Sequence, residues 1–161
     1  MTPAVVVLLL CAGLSEAVGR VLPFLVRRPG TSPKAVVSLL TTGGLVEASV
    51  FALWPLTAWT LADWAAPAPP GPVLVWTPGL LAPLLLAAVL AFPLLGPALH
   101  LLLLAGVGVG LTGPLAAATG LGWWSAAACV AVAGAGLGVA VEVVRRLVGR
   151  MTAARAREVV V

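Results

Sequence analysis

Residues 80–118, LLAPLLLAAVLAFPLLGPALHLLLLAGVGVGLTGPLAAA, run without one Asp, Glu, Lys or Arg. As a single straight helix they would reach about 60 Å at 1.5 Å per residue, twice the roughly 30 Å of hydrocarbon in a bilayer. The run therefore has to turn back on itself, and Gly96-Pro97 is where the sequence best allows it. Two pieces result, from about Val73 to Leu95 and from Pro97 to Ala118. Pro78, Pro83 and Pro93 crowd the first piece, which reads either as a full crossing or as one arm of a re-entrant hairpin. Both readings return the chain to the side from which it entered.

Outward from this run, the same length criterion finds three more apolar stretches. Ala4 to Val26 is closed by Arg27, Arg28, Pro29 and Gly30, and about Ala35 to Ala62 is long enough to tilt. The last helix spans about Gly122 to Val144. Between the second and third stretches, Ala65 to Gly79 carries Pro67, Pro69, Pro70, Pro72 and Pro78 and reads as the one substantial loop. The expected fold is all-α, a polytopic transmembrane helix bundle of about five spans, or three spans plus a re-entrant hairpin. Residues 1–148 form the transmembrane domain in this reading, and residues 149–161 a basic cytoplasmic tail.

Composition agrees. Hydrophobic residues make up 61% of the 161 positions, 9% are charged, and mean hydropathy is +1.16, which leaves too little polar surface to cover a water-soluble core. Lipid is the expected solvent. Ile, Asn, Gln and Tyr are absent and Lys34 is the only lysine, a bias expected of a GC-rich bacterial genome. The net charge of +4 comes from basic residues beside apolar spans, so they read as topology signals and not as nucleic-acid contacts.

Arg27, Arg28 and Lys34 fill the first connection, while Arg145, Arg146, Arg150, Arg155 and Arg157 follow the last helix. The positive-inside rule puts both clusters in the cytoplasm, with the N-terminus outside a bacterial inner membrane. Trp59, Trp64, Trp76, Trp123 and Trp124 all fall near the opposite, outer boundary, where Trp is enriched, and Trp54 falls a little deeper.

Little in the chain can do chemistry. Gly106, Gly108 and Gly110 mimic a dinucleotide fingerprint, but no strand precedes them and no acid follows at the required distance. His100 has no neighbouring acid, no Ser-His-Asp or H-E-x-x-H set exists, and Cys11 and Cys129 read as small buried side chains. A bridge between them is conceivable if their helices touch. The sequence implies no enzyme, cofactor or metal site. Gly106 with Gly110, and Gly134 with Gly138, form two G-x-x-x-G pairs expected to let helices approach closely. Glu142 stands three and four residues before Arg145 and Arg146, as a local ion pair does.

The informative residues are Glu16, Arg20 and Glu47, because a charge at mid-membrane costs about 2.5 to 3.5 kcal/mol on insertion scales. Glu16 and Arg20 are spaced for an intrahelical pair, whereas the helical neighbours of Glu47, namely Gly43, Gly44, Val50 and Phe51, offer no counter-charge. Glu47 must be protonated, bind a cation, or meet a basic group on a partner. Thr41 and Thr42 lie close enough in sequence to contribute polar atoms. The surroundings of the two acids also repeat, as Gly13-Leu14-Ser15-Glu16-Ala17 and Gly44-Leu45-Val46-Glu47-Ala48, which on helices of opposite direction would make a miniature inverted repeat. The sequence thus points to a small transporter or channel-like protein with Glu47, Glu16 and Arg20 as its binding residues. The alternative is an accessory subunit of a larger membrane complex. The partners implied are the bilayer and either a second copy or that complex.

Overall fold

The computed structural model describes residues 2–27, 32–65, 74–90 and 97–158, with the side chains of 20, 22–27, 90, 97–100, 148, 149 and 151–158 outside the description. Five helices appear among the described residues: α1 Pro3–Arg27, α2 Pro33–Ala65, α3 Pro78–Leu90, α4 Pro97–Thr119 and α5 Trp123–Glu158. No strand appears among them. The expected turn at Gly96 and most of the proline-rich loop lie outside the described residues.

Proline explains most helix starts. Pro3, Pro33, Pro78 and Pro97 each occupy a first helical position, where the missing N–H is not needed and the fixed φ suits the helix. Ser32 adds a cap to α2, its Oγ accepting from the Ala35 N–H at 3.3 Å. At the other end of the bundle, Gly120 takes a left-handed φ of 71° and donates to the Ala116 carbonyl at 2.9 Å, which terminates α4.

Two boundaries differ from the sequence expectation. Val73 lies outside the described residues, residues 74–77 have no regular structure, and α3 starts at Pro78, since a residue before proline is pushed out of the helical region. The described part of α3, 13 residues, is about 20 Å long. At the C-terminus α5 does not stop at Val144 but continues to Glu158, through the expected tail. The added turns are rich in Arg and Ala, both strong helix formers. Glu142 pairs with Arg145 at 2.8 Å and with Arg146 at 2.6 Å where the helix passes from apolar to charged sequence.

Among the described residues, three helical segments are long and apolar enough to cross a membrane: Pro33–Ala65, Leu101–Thr119 and Trp123–Leu147. The pattern of burial fits lipid as solvent, with Leu101, Leu102, Val109, Val132 and Val139 facing outward while Glu16, Glu47 and Thr112 are buried. Helix α1 packs on α2 and α3, α2 on α4 and α5, and α4 on α3 and α5. Between α3 and α4 the contacts run antiparallel: a Cβ on Gly79 would meet Pro114, and one on Gly110 would meet Pro83. Leu80, Leu84, Leu111, Leu115 and Val130 fill the centre.

Candidate functional site

The two glutamate motifs meet each other. A Cβ placed on Gly13 would fall 2.9 Å from the Cα of Ala48 and nearer still to the carbonyl oxygen of Gly44. On the other side of the seam, one on Gly44 would lie 3.2 Å from the Cα of Leu14, and one on Gly43 would lie 3.2 Å from the Cβ of Ala17. Only glycine permits this approach of backbone to backbone. Rising numbers in α1 meet falling numbers in α2, so the helices are antiparallel and the two motifs face one another as an inverted pair.

This seam carries Glu16 and Glu47 into the interior, at 6% and 9% exposure. Both line one half-open cavity of about 480 Å³ bordered by α1, α2, α4 and α5. Phe51 and Trp54 continue its wall along α2, Leu104 contributes from α4, and Gly134 and Gly138 contribute from α5. Neither carboxylate stands without a partner. Arg20 follows Glu16 by one turn of α1, and its side chain lies outside the described residues, as does that of His100.

Trp54 organises the opposite end. Its indole N–H donates to the Val130 carbonyl at 2.9 Å, and the ring lies over Gly134, where a Cβ would come within 2.8 Å of it. At 7% exposure it is part of the core and not of the interfacial belt. Trp64, Trp123 and Trp124 are exposed, and Trp123 and Trp124 stack edge to face with centroids 4.8 Å apart. Next to Trp54, the buried Pro55 has no N–H to give the Phe51 carbonyl, which leaves that oxygen as a partial negative charge without a helical donor.

Several sequence expectations need correction. Thr41 and Thr42 are exposed, and Thr41 bonds back to the Val37 carbonyl at 2.8 Å, so neither supplies a polar atom to the cavity. Each G-x-x-x-G pair is half used: Gly110 and Gly134 receive Pro83 and Trp54, whereas Gly106 and Gly138 have no atom within 4 Å of a built Cβ. Cys11 is exposed and Cys129 half-buried, both are free thiols, and α1 is not among the helices packed on α5. The inward position of Trp54 is carried by a signal in the sequence itself. Gly44, Glu47, Phe51, Trp54, Ala58 and Ala62 recur at helical spacing and all are buried, so α2 has one continuous inward stripe.

A second cavity of about 650 Å³ between α3 and α4 is lined by Pro83, Leu86, Leu103, Gly106 and other apolar residues, with no ionisable group. The paired acids therefore single out the first. Compared with protein-family models the chain matches none, and no curated protein or solved structure matches it either.

Proposed function

We propose that the chain is a multi-pass protein of a bacterial cytoplasmic membrane that moves a cation through the cavity holding Glu16 and Glu47. The N-terminus is outside, α1 and α2 cross in turn, α3 and α4 enter from and return to the outer face, and α5 crosses to a cytoplasmic C-terminus. Lys34, Arg145, Arg146 and Arg150 then share the inner side, as the positive-inside rule requires, and Trp64, Trp76, Trp123 and Trp124 share the outer one.

The observation that carries the transport reading is the convergence of both acids, from two helices, on one cavity near the middle of α1 and α2. A structural role for a glutamate needs a neighbour and no cavity. Two carboxylates kept in an apolar bundle, at a cost that insertion scales put at about 2.5 to 3.5 kcal/mol per charge, are expected of an ion or substrate path. The test is cation flux into proteoliposomes containing the purified chain, with Glu47→Gln, which keeps shape and hydrogen bonding but cannot ionise, as the variant. Flux is expected to disappear while insertion and amount stay unchanged. Full flux in the variant refutes the reading.

One observation favours an accessory subunit instead: Gly106, Gly113 and Gly136 are exposed with no atom within 4 Å of a built Cβ, a smooth surface another helix could use. A stoichiometric partner retained through mild-detergent purification, without flux by the chain alone, decides for that reading.

A further inference from the structure

We infer that the cavity takes an organic monocation with an apolar body, its charge held by Glu16 and Glu47 and its body laid against Phe51 and Trp54. The inference rests on the transport reading above and specifies its substrate class. Size argues first. A single inorganic ion fills about the 30 Å³ of one water molecule, whereas the cavity offers about 480 Å³, within the range of small-molecule sites. The rest of that space is walled by Val50, Leu104, Leu137 and Val141 together with Ala and Gly, which suit hydrocarbon and repel a hydration shell.

Donor chemistry argues second. Hard cations take six or more oxygens, and the ionisable groups among the described residues lining the cavity are two carboxylates. Thr41 and Thr42 are exposed and do not line the cavity, and the Trp54 N–H is held by Val130. What remains of Trp54 is its π-system. Aromatic faces attract cations and apolar groups alike, so the same ring that cannot help a metal ion can hold an organic one.

Spacing argues third. Glu47, Phe51 and Trp54 rise along one stripe of α2, and the seven residues from acid to indole span about 10 Å. That is room for a charged head and one aromatic ring.

The test is equilibrium binding of radiolabelled benzyltrimethylammonium to the full chain in lipid nanodiscs, with benzyltrimethylsilane, its neutral counterpart of like shape, as competitor. Saturable binding near one per chain is expected, with the silane at least about tenfold weaker and Glu47→Gln weakened at least about tenfold. Gly138 lines the cavity and has open space for a side chain, so Gly138→Leu is expected to block binding without a clash, independently of how Glu47→Gln folds. Displacement by sodium or calcium at equal concentration overturns the inference in favour of an inorganic ion. Equal binding of the silane overturns it in favour of a lipid-filled pocket. Glu47-dependent flux of inorganic cations without benzyltrimethylammonium binding removes the substrate class and keeps transport. Carboxylate-dependent binding without any flux does the reverse.

Discussion

Gly13→Ala adds one methyl group at the tightest contact of any glycine among the described residues. The new Cβ would meet the N of Ala48 at 2.5 Å and its Cα at 2.9 Å, and both are backbone atoms that no rotamer change can move. Ordinary carbon contacts begin near 3.5 Å, so α1 must retreat from α2 by about 0.6 to 1 Å. A gap of that size forfeits a quarter to a half of each dispersion contact along the seam, where one pair contributes about 0.1 to 0.2 kcal/mol. If the seam holds on the order of 40 such pairs, as a single buried leucine does, the loss is about 1 to 4 kcal/mol, in line with measured overpacking penalties of about 1 to 3 kcal/mol. The control is Gly136→Ala, where nothing lies within 4 Å of the added carbon and the exchange removes a helix-interior glycine, a gain of up to about 0.5 to 1 kcal/mol. Unfolding of both variants in mixed micelles, followed by far-ultraviolet circular dichroism, measures the difference. Because Glu16 and Glu47 ride on the two sides of this seam, ligand binding is expected to fall with stability. A Gly13→Ala protein as stable as Gly136→Ala would refute the packing argument at its root.

Gly134→Ala is expected to dislodge the Trp54 ring, costing about 1 to 3 kcal/mol of stability, while Gly138→Ala, four residues on, changes it by less than about 0.5 kcal/mol; unfolding midpoints of the pair decide. Trp54→Phe removes the hydrogen bond to Val130 and is expected to cost about 0.5 to 1.5 kcal/mol beyond the lost ring area, the carbonyl keeping its own helical donor. In a background with Cys11 and Cys129 replaced, a cysteine at Ser32 or Arg150 is expected to react only with membrane-permeant maleimide, and one at Ala68 or Gly122 also with an impermeant reagent. The opposite pattern at Arg150 removes the proposed topology.

Much of the fold can be read from the chain because lipid makes its rules severe. Apolar runs and prolines give the helices almost to the residue at Pro3, Pro33 and Pro97. Misreadings arose where two signals competed. Val73 and Leu74 are apolar enough to continue a span, yet Pro78 sets the helix start by local sterics. The arginines after Val144 close the apolar run, and the end of an apolar run is not a helix end. At the site, the scarcity of charge identified Glu16 and Glu47. Thr41 and Thr42 were misplaced because six and five residues before Glu47 amount to turns of 600° and 500° at about 100° per residue, well off its face. G-x-x-x-G spacing announces small residues without saying what packs on them, so nothing in it distinguished Gly134, covered by Trp54, from the open Gly138.

The repeated motif also explains why both acids open onto the same cavity. Each glutamate follows its seam glycine by three residues, so each projects about 60° to the same rotational side of the contact on its own helix. Antiparallel helices are related by a two-fold axis perpendicular to both, and that operation carries the side of one helix on which its acid lies onto the same side of the other. Gly13 against Ala48 and Ala17 against Gly43 are the two contacts such an axis would exchange, to within one residue. Both carboxylates therefore emerge on one face of the α1–α2 pair, the face covered by α5 and α4. Moving an acid by one position breaks this relation without changing composition. In the double variant Val46→Glu with Glu47→Val, the carboxylate turns by about 100° onto a position that is 44% exposed among outward-facing aliphatic residues. A charge there costs about 2.5 to 3.5 kcal/mol on insertion scales, with no cavity to receive it. The variant is expected to reach the membrane in reduced amount, and the fraction that inserts is expected to bind no benzyltrimethylammonium. Binding retained at wild-type strength would mean that charge content, and not its placement by the glycine seam, makes the site.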